Sequence, residues 1–139
     1  EQGAEKCKEA GARRAVMLNV SGPFHSDLLK GAGEKLEKVL DTIEINEPQI
    51  PYVANVNASY ITKQEDIKPL LVKQVSSSVR WQQSVETMVE DGVDTFIELG
   101  PGRTLAGFNK KIGKAIGKEL TTYSVGTMEE LEAVVAALS

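Results

Sequence analysis

The single histidine of the chain is the side chain best suited to acid–base chemistry. His25 lies in the stretch SGPFHS, after an apolar run and before a run with helical periodicity. An imidazole accepts and returns a proton near neutral pH, and loops at the carboxyl ends of strands carry functional residues in α/β proteins. The position alone favours a histidine that partly caps the following helix or faces solvent. A catalytic base stays open as the alternative.

A base for acyl transfer needs a nucleophile, and the sequence offers no convincing candidate. None of the serines lies in a G-x-S-x-G turn, the strand-to-helix elbow that exposes a nucleophilic hydroxyl. Ser26 is adjacent to His25, too close along the chain to be a suitable partner for its imidazole. If His25 serves acyl transfer, we expect the nucleophile to lie outside this chain.

Two further stretches could bind charged groups. The segment ELGPGRTL (98–105) could present backbone N–H groups and Arg103 to an anion. It is neither a dinucleotide fingerprint nor a Walker loop, so we interpret it as a tight turn that needs glycine. The segment KKIGKAIGK (110–118) predicts a lysine stripe on a helix, either a solvated face or a docking surface for an acidic partner.

The elements that must position these residues alternate along the chain. Apolar spacings of three and four residues predict amphipathic helices, and Thr127 with Glu130 predicts a capping box. Serines 76–78 are a candidate N-cap for the helix that follows them. The alternation predicts an α/β structure with a largely parallel sheet. The predicted helices cover 2–10, 26–43, 65–75, 79–91, the residues after 102 and those after 127, and the predicted strands cover 14–20, 52–57, 94–99 and 120–125.

Composition limits the class of protein. The 139 residues suit one domain, and 41% hydrophobic with 26% charged residues is typical of a globular chain. A formal charge of −4 argues against general nucleic-acid binding, and no apolar run approaches the ~20 residues that span a bilayer. The single cysteine, Cys7, excludes an internal disulfide and a multi-cysteine metal site. Because the chain starts with Glu and has few predicted strands, we expect a piece of a longer domain.

An ordered set of short motifs resembles a known family. The set is AGARR (10–14), VSGPFHS (20–26), NVNA (55–58), LVKQ (71–74), VRWQQSVE (79–86) and ELGPGRTL (98–105). Each motif is weak alone, but together, in this order, they resemble the bacterial malonyl-CoA:acyl carrier protein transacylases. The resemblance runs along essentially all of the chain. It corresponds to the C-terminal portion of such enzymes, whose first half carries the G-H-S-x-G nucleophile and an arginine that pairs with the malonyl carboxylate.

The resemblance implies a fold and a domain division. It implies an α/β-hydrolase-like acyltransferase core with a small ferredoxin-like subdomain. Residues 1–21 would be the last helix and strand of that subdomain, and residues 22–139 the C-terminal part of the core.

The resemblance also implies roles for particular residues. His25 matches the catalytic histidine, and the backbone carbonyl of Gln74 matches the acceptor that orients its ring. Phe24 matches a position that is aromatic in malonyl-selective members, and Asn55 matches a pocket-lining position. No metal and no cofactor are expected. The substrates would be malonyl-CoA and the phosphopantetheine thiol of acyl carrier protein, in fatty acid biosynthesis and in the cytoplasm.

Partners and alternatives complete the expectations. We expect contact with acyl carrier protein, and an apolar interface with the absent N-terminal half or with another copy of the chain, but no nucleic acid or membrane. Without its nucleophile the chain alone is predicted to be inactive. The alternative function is a non-catalytic module that binds CoA or carrier protein. A flavodoxin-like nucleotide binder ranks last because the sequence has no convincing phosphate loop.

Overall fold

The computed structural model describes residues 2–17 and 20–139, and these contain both helices and strands. A short 3-10 helix, Asp27–Leu29, leads directly into α2. The α-helices are α1 (Gln2–Glu9), α2 (Lys30–Leu40), α3 (Gln64–Val75), α4 (Trp81–Glu90), α5 (Thr104–Ile116) and α6 (Met128–Leu138). The strands are β1 (Tyr52–Ala54), β2 (Ser59–Ile61), β3 (Thr95–Leu99) and β4 (Thr121–Val125).

The strands form two separate pairs in the described part of the chain. β3 and β4 are parallel, in register from Thr95 opposite Thr121 to Leu99 opposite Val125, and α5 connects them. β1 and β2 form an antiparallel hairpin with Tyr52 opposite Ile61. The predicted α/β class is confirmed, but the largely parallel sheet is not, because one of the two pairs is antiparallel.

The strand predicted over 14–20 is wrong for the residues that the structure describes. Residues 14–17 and 20 lie outside any strand, and Leu18 and Asn19 fall outside the described residues. Val16, Met17 and Val20 are 59–65% exposed. A strand needs backbone hydrogen bonds from a neighbour, and none of the described strands pairs with this segment. The segment has the apolar pattern of a strand, but the described residues supply no partner strand for it.

Helix α2 packs closely against α3. A Cβ added at Gly33 would lie 3.2 Å from the carbonyl oxygen of Val72, so the glycine allows the two helices to approach. On α2, Leu40 is buried, whereas Ile43 beyond its end is 46% exposed. A small apolar cluster lies beneath α3 and contains Ala54, Ile61 and Ile67.

Helix α6 leaves much of its apolar surface exposed. Val134 is buried, but Leu131, Val135 and Leu138 are 37–56% exposed. These side chains share one side of α6 by their spacing. The spacing places them on a common face, but β4, the strand that contacts α6, covers only part of it.

A buried polar contact joins α4, α5 and β4. The Asn109 side chain, only 2% exposed, accepts a hydrogen bond from Trp81 Nε1 at 3.1 Å. Its own amide donates to Thr122 Oγ1 at 3.3 Å. Because buried amides are costly when unpaired, these bonds fix how the three elements pack together.

The loops after β3 and β4 are bonded to each other. The N–H of Gly100 donates to the carbonyl of Val125 at 2.9 Å, and the N–H of Gly126 donates to Glu130 Oε2 at 2.7 Å. Arg103 in the first loop pairs with Glu130 Oε1 at 3.7 Å. The Thr127 hydroxyl also accepts from the N–H of Glu130, which confirms Thr127 as the N-cap of α6. The predicted capping box is only half formed, because the Glu130 carboxylate accepts from the N–H of Gly126 rather than from that of Thr127. In the described ranges, no helix has the length and apolar character needed to cross a membrane.

Candidate active site

His25 lies in a loop that is tied down on both sides. The Ser26 hydroxyl donates to the carbonyl of Pro23 at 2.7 Å, and the N–H of Leu29 donates to the carbonyl of Ser26 at 3.0 Å. His25 itself has φ 56°, in the left-handed region that non-glycine residues seldom adopt. Strained backbone of this kind concentrates at functional sites and persists where the surroundings hold it. The backbone therefore presents this side chain in an unusual direction.

The imidazole of His25 contacts two backbone carbonyls. Its Nδ1 atom lies 3.1 Å from the carbonyl oxygen of Gln74 and 3.1 Å from that of Ser77. A carbonyl oxygen accepts but cannot donate, so Nδ1 must carry the proton in both contacts. In the neutral ring Nε2 is then unprotonated and can act as a base. The side chain is exposed, so Nε2 is within reach of a reacting group.

The two carbonyls belong to the carboxyl end of α3 and the turn after it. The last carbonyls of an α-helix lack partners inside the helix, and this end carries the negative pole of the helix dipole. A proton taken up at Nε2 would make the ring cationic beside that pole. The arrangement supplies an orienting acceptor without an acidic side chain.

The structure places Gln74 beside His25, where the resemblance implied a contact, and adds a residue that the sequence reasoning missed. Ser77 was interpreted only as part of a candidate N-cap for α4. That assignment is wrong, because the N-cap of α4 is Arg80, whose side chain makes no capping hydrogen bond. The contact of the Ser77 carbonyl has no signal in the sequence, since it depends on how the chain turns after α3.

Phe24 and Asn55 flank this arrangement in different ways. Phe24 is 63% exposed, and a Cβ added at Gly22 would lie 3.5 Å from its ring. The carbonyl of Asn55 accepts from the N–H of Arg80 at 2.9 Å, so Asn55 is bonded to the same α3–α4 connection that holds His25. Phe24 presents an apolar surface beside the histidine, and Asn55 is half-buried at the end of β1.

The ELGPG turn binds an anion that belongs to the chain itself. The Glu98 carboxylate accepts from the N–H groups of Leu105 at 3.0 Å and Ala106 at 2.9 Å, in the first turn of α5. The N–H of Ala106, followed by that of Leu105, lowers the pKa of Glu98 below its usual range. Gly100 and Gly102 have φ of 132° and 95°. The interpretation of this segment as a tight turn that needs glycine is therefore confirmed. The N–H groups at the start of α5 bind the Glu98 carboxylate rather than an external anion.

The predicted lysine stripe divides between two sides of α5. Lys110, Lys114 and Lys118 line a groove of about 660 Å³ together with Arg103. Lys111 lies instead beside Trp81 and Phe108. In the described residues, no group of three or more His, Cys, Asp or Glu side chains is arranged to hold a metal ion.

Comparison with known proteins gives a consistent set of relatives. The chain is 43% identical over 138 residues to the malonyl CoA-acyl carrier protein transacylase of Bacillus subtilis. This alignment covers 99% of the chain and 42% of the relative. It is 42% identical over 134 residues to the protein of the same name from Haemophilus influenzae, covering 96% of this chain and 42% of that protein. No family model matches the chain.

Solved structures agree with the sequence comparison. The structure of malonyl CoA-acyl carrier protein transacylase from Clostridium perfringens matches with a TM-score of 0.86 and 40% identity, over 99% of this chain and 42% of that one. A second match, with a TM-score of 0.87 and 38% identity over 98% of this chain and 43% of that one, is a malonyl-transacylase solved in complex with a type II polyketide synthase acyl-carrier protein.

The extent of these matches defines the relationship. The chain spans about 42% of the length of the curated relatives it matches. It aligns with them over nearly all of its own length, in both sequence and fold. The chain is thus related to the malonyl CoA-acyl carrier protein transacylases and corresponds to their C-terminal portion.

Proposed function

We propose that the chain supplies the acid–base half of a malonyl-CoA:acyl carrier protein acyltransferase. In this proposal His25 is the base, and a serine on a segment outside these 139 residues is the nucleophile. The chain alone is inactive, because the serine hydroxyl that forms the covalent ester is missing.

One observation supports this proposal above the others. Nδ1 of His25 lies 3.1 Å from two carbonyl oxygens, which leaves Nε2 as a free proton acceptor. A solvated or capping histidine would not need both contacts. The relatives' shared name, malonyl CoA-acyl carrier protein transacylase, specifies which transfer such a base would serve.

In the first half-reaction, Nε2 of His25 removes the proton from the serine hydroxyl while its oxygen attacks the thioester carbonyl of malonyl-CoA. The carbon–sulfur bond breaks, and the imidazolium returns the proton to the departing CoA thiolate. The malonyl group is left on the serine as an ester. The carboxyl end of α3 stabilises the transient positive charge on the ring.

In the second half-reaction, the same nitrogen removes the proton from the phosphopantetheine thiol of acyl carrier protein. The thiolate attacks the serine ester, and His25 returns the proton to the serine oxygen as it leaves. Each half-reaction ends with a neutral imidazole, so one histidine serves both. We expect ping-pong kinetics, because CoA leaves before the carrier protein reacts.

Phe24 and Asn55 would shape the acyl pocket. The ring of Phe24 is exposed next to His25 and would narrow the space beside the α-carbon of the acyl group. This favours malonyl over methylmalonyl by a modest factor, since one extra methyl group is worth about 1–3 kcal/mol of discrimination. Asn55 would line the same pocket from the end of β1.

The biological setting follows from the proposed activity. Malonyl transfer to acyl carrier protein would place the chain in fatty acid biosynthesis, in the cytoplasm. In this proposal the reaction needs no metal or cofactor beyond its two substrates, because His25 performs the proton transfers of both half-reactions.

The partners would be acyl carrier protein, malonyl-CoA and a polypeptide that carries the nucleophile. Apolar side chains on β3 support the last of these, since Ile97 and Leu99 are 46% and 76% exposed. Parallel strands are normally buried on both faces, so we expect a complementary segment, or a second copy of the chain, to cover them.

The test combines this chain with the part of the Bacillus subtilis relative that it does not cover. The assay follows transfer of labelled malonyl from malonyl-CoA to holo acyl carrier protein. We compare wild type with His25→Asn, because asparagine tolerates the left-handed backbone but cannot act as the base. The expected loss is about 10²–10⁴-fold in rate, the usual contribution of a general base.

The matched control is Ser78→Ala, an exposed position on the α3–α4 connection. It should leave transfer unchanged. No transfer by the reconstituted wild-type pair would contradict the proposal, and so would a His25→Asn pair as active as wild type. Saturable binding of malonyl-CoA to the isolated chain without any transfer would favour the non-catalytic module instead.

A further inference from the structure

Ser77 connects the end of α3 to the histidine through three groups. Its hydroxyl donates to the carbonyl of Lys73 at 2.8 Å, and its N–H donates to the carbonyl of Gln74 at 3.4 Å. Its own carbonyl lies 3.1 Å from Nδ1 of His25. Ser77 thus donates hydrogen bonds to two carbonyls at the end of α3 and also contacts the imidazole through its own carbonyl.

The hydroxyl contact restrains the turn from which the Ser77 carbonyl projects. Lys73 lies in the last turn of α3, where carbonyls lack partners inside the helix. Ser77 lies beyond Val75, the last residue of α3, and its N–H makes only the long turn bond to the carbonyl of Gln74. The shorter bond from the hydroxyl to the carbonyl of Lys73, four residues back, adds a second restraint.

A second acceptor matters because His25 is exposed. If the carbonyl of Gln74 were the only acceptor, the ring could rotate about that one contact. The proton could then move from Nδ1 to Nε2 by exchange with water. Two acceptors 3.1 Å from the same nitrogen restrict both the rotation of the ring and the site of the proton. The proton is then retained on Nδ1, and Nε2 stays available.

We propose that Ser77 is a positioning residue for His25, whose hydroxyl fixes the turn after α3 so that its carbonyl selects the Nδ1–H tautomer. Its importance for catalysis rests on the proposed function, in which Nε2 of His25 is the base. The hydroxyl of Ser77 does not touch the reacting atoms, so its removal acts through the state of the imidazole.

The test measures that state directly. Long-range ¹H–¹⁵N correlation NMR detects the two ring nitrogens of a histidine. His25 is the single histidine of the 139-residue chain, so its signals do not overlap with those of another imidazole. The measured quantity is the ratio of the Nδ1–H to the Nε2–H tautomer of the neutral ring. In wild type we expect Nδ1–H to predominate.

Three variants separate positioning from general loosening. Ser77→Ala removes the hydroxyl and should lower the tautomer ratio about two- to tenfold, the range that the worth of one neutral hydrogen bond gives. Ser77→Thr keeps a hydroxyl and should retain the wild-type ratio. Ser78→Ala, next to it, should also retain that ratio.

Each result decides the proposal without any activity assay. A wild-type ring that carries its proton on Nε2 would overturn it, whether or not the variants fold. So would a folded Ser77→Ala chain with an unchanged ratio, or an equal drop in all three variants. If the ratio behaves as expected but the reconstituted pair transfers no malonyl, the positioning stands and the proposed function fails.

Discussion

Gly113 is the position where α5 lies closest to the segment that leads into β4. A Cβ added there would lie 2.7 Å from the carbonyl oxygen of Lys118 and 2.9 Å from Cγ of Leu120. The first neighbour is backbone, so Gly113→Ala forces the chain before β4 to move. Overpacking of this kind costs about 1–3 kcal/mol. Alanine recovers about 1 kcal/mol of helix propensity, so the net effect is a loss of up to roughly 2 kcal/mol.

The same helix contains its own control. Gly107 is exposed, and a Cβ added there would meet nothing within 4 Å. Gly107→Ala should therefore show the propensity gain alone, and stabilise the chain by about 1 kcal/mol. The two variants change the same residue type in one helix, so their difference isolates the contact with Lys118 and Leu120.

Urea unfolding followed by circular dichroism measures this difference. We expect the free energies of unfolding to differ by about 1–3 kcal/mol, with Gly107→Ala the more stable. Because that free energy falls by about 1–3 kcal/mol per molar urea, the midpoints should differ by roughly 1 M. If Gly113→Ala is as stable as Gly107→Ala, the close packing of α5 on the entry to β4 is refuted.

Two further substitutions test the contacts around α5. The pKa of the Glu98 carboxyl is lowered in the folded chain, so this group stabilises the fold at pH values above its pKa in the unfolded chain, and that stabilisation is lost as the pH falls through its pKa in the folded chain. Glu98→Gln should therefore weaken the dependence of the urea midpoint on pH in the acidic range. The control Glu132→Gln, at an exposed position, should leave that dependence unchanged. Asn109→Ala leaves Trp81 Nε1 without its acceptor and should cost about 1–3 kcal/mol in urea unfolding, against no more than about 0.5 kcal/mol for exposed Gln83→Ala. An unchanged stability in Asn109→Ala would show that water replaces the contact at no cost.

Local patterns in the sequence predicted most of the helices and three of the four strands in the described part of the chain. The sequence did not predict β2, which follows a turn that contains Ala58 in the left-handed region, with φ 55°. Glycine or asparagine at that place would have indicated a hairpin, but alanine carries no such signal. The turn is held by tertiary contacts instead, including the bond from the Thr87 hydroxyl to the carbonyl of Ala58 at 2.8 Å.

Periodicity predicted which residues share a face, but not whether that face is covered. Val16, Met17 and Val20, and Val135 and Leu138 on α6, fit apolar patterns, yet each is more than half exposed in the described part of the chain. A side chain is buried only when a second element packs against it, and the periodicity of one segment does not specify that second element. The same limit explains the candidate site: Gln74 was assigned through the resemblance, whereas the Ser77 carbonyl depends on backbone geometry beyond the end of α3.

The bonds between the loops after β3 and β4 have a consequence for local motion. The N–H of Gly100 reaches the end of β4, and Glu130 accepts from the N–H of Gly126 while it pairs with Arg103 of the other loop. Neither loop can open without breaking bonds that also restrain the other. We therefore expect the carboxyl end of this parallel pair to open locally as one unit, so that a disturbance in either loop is shared by both.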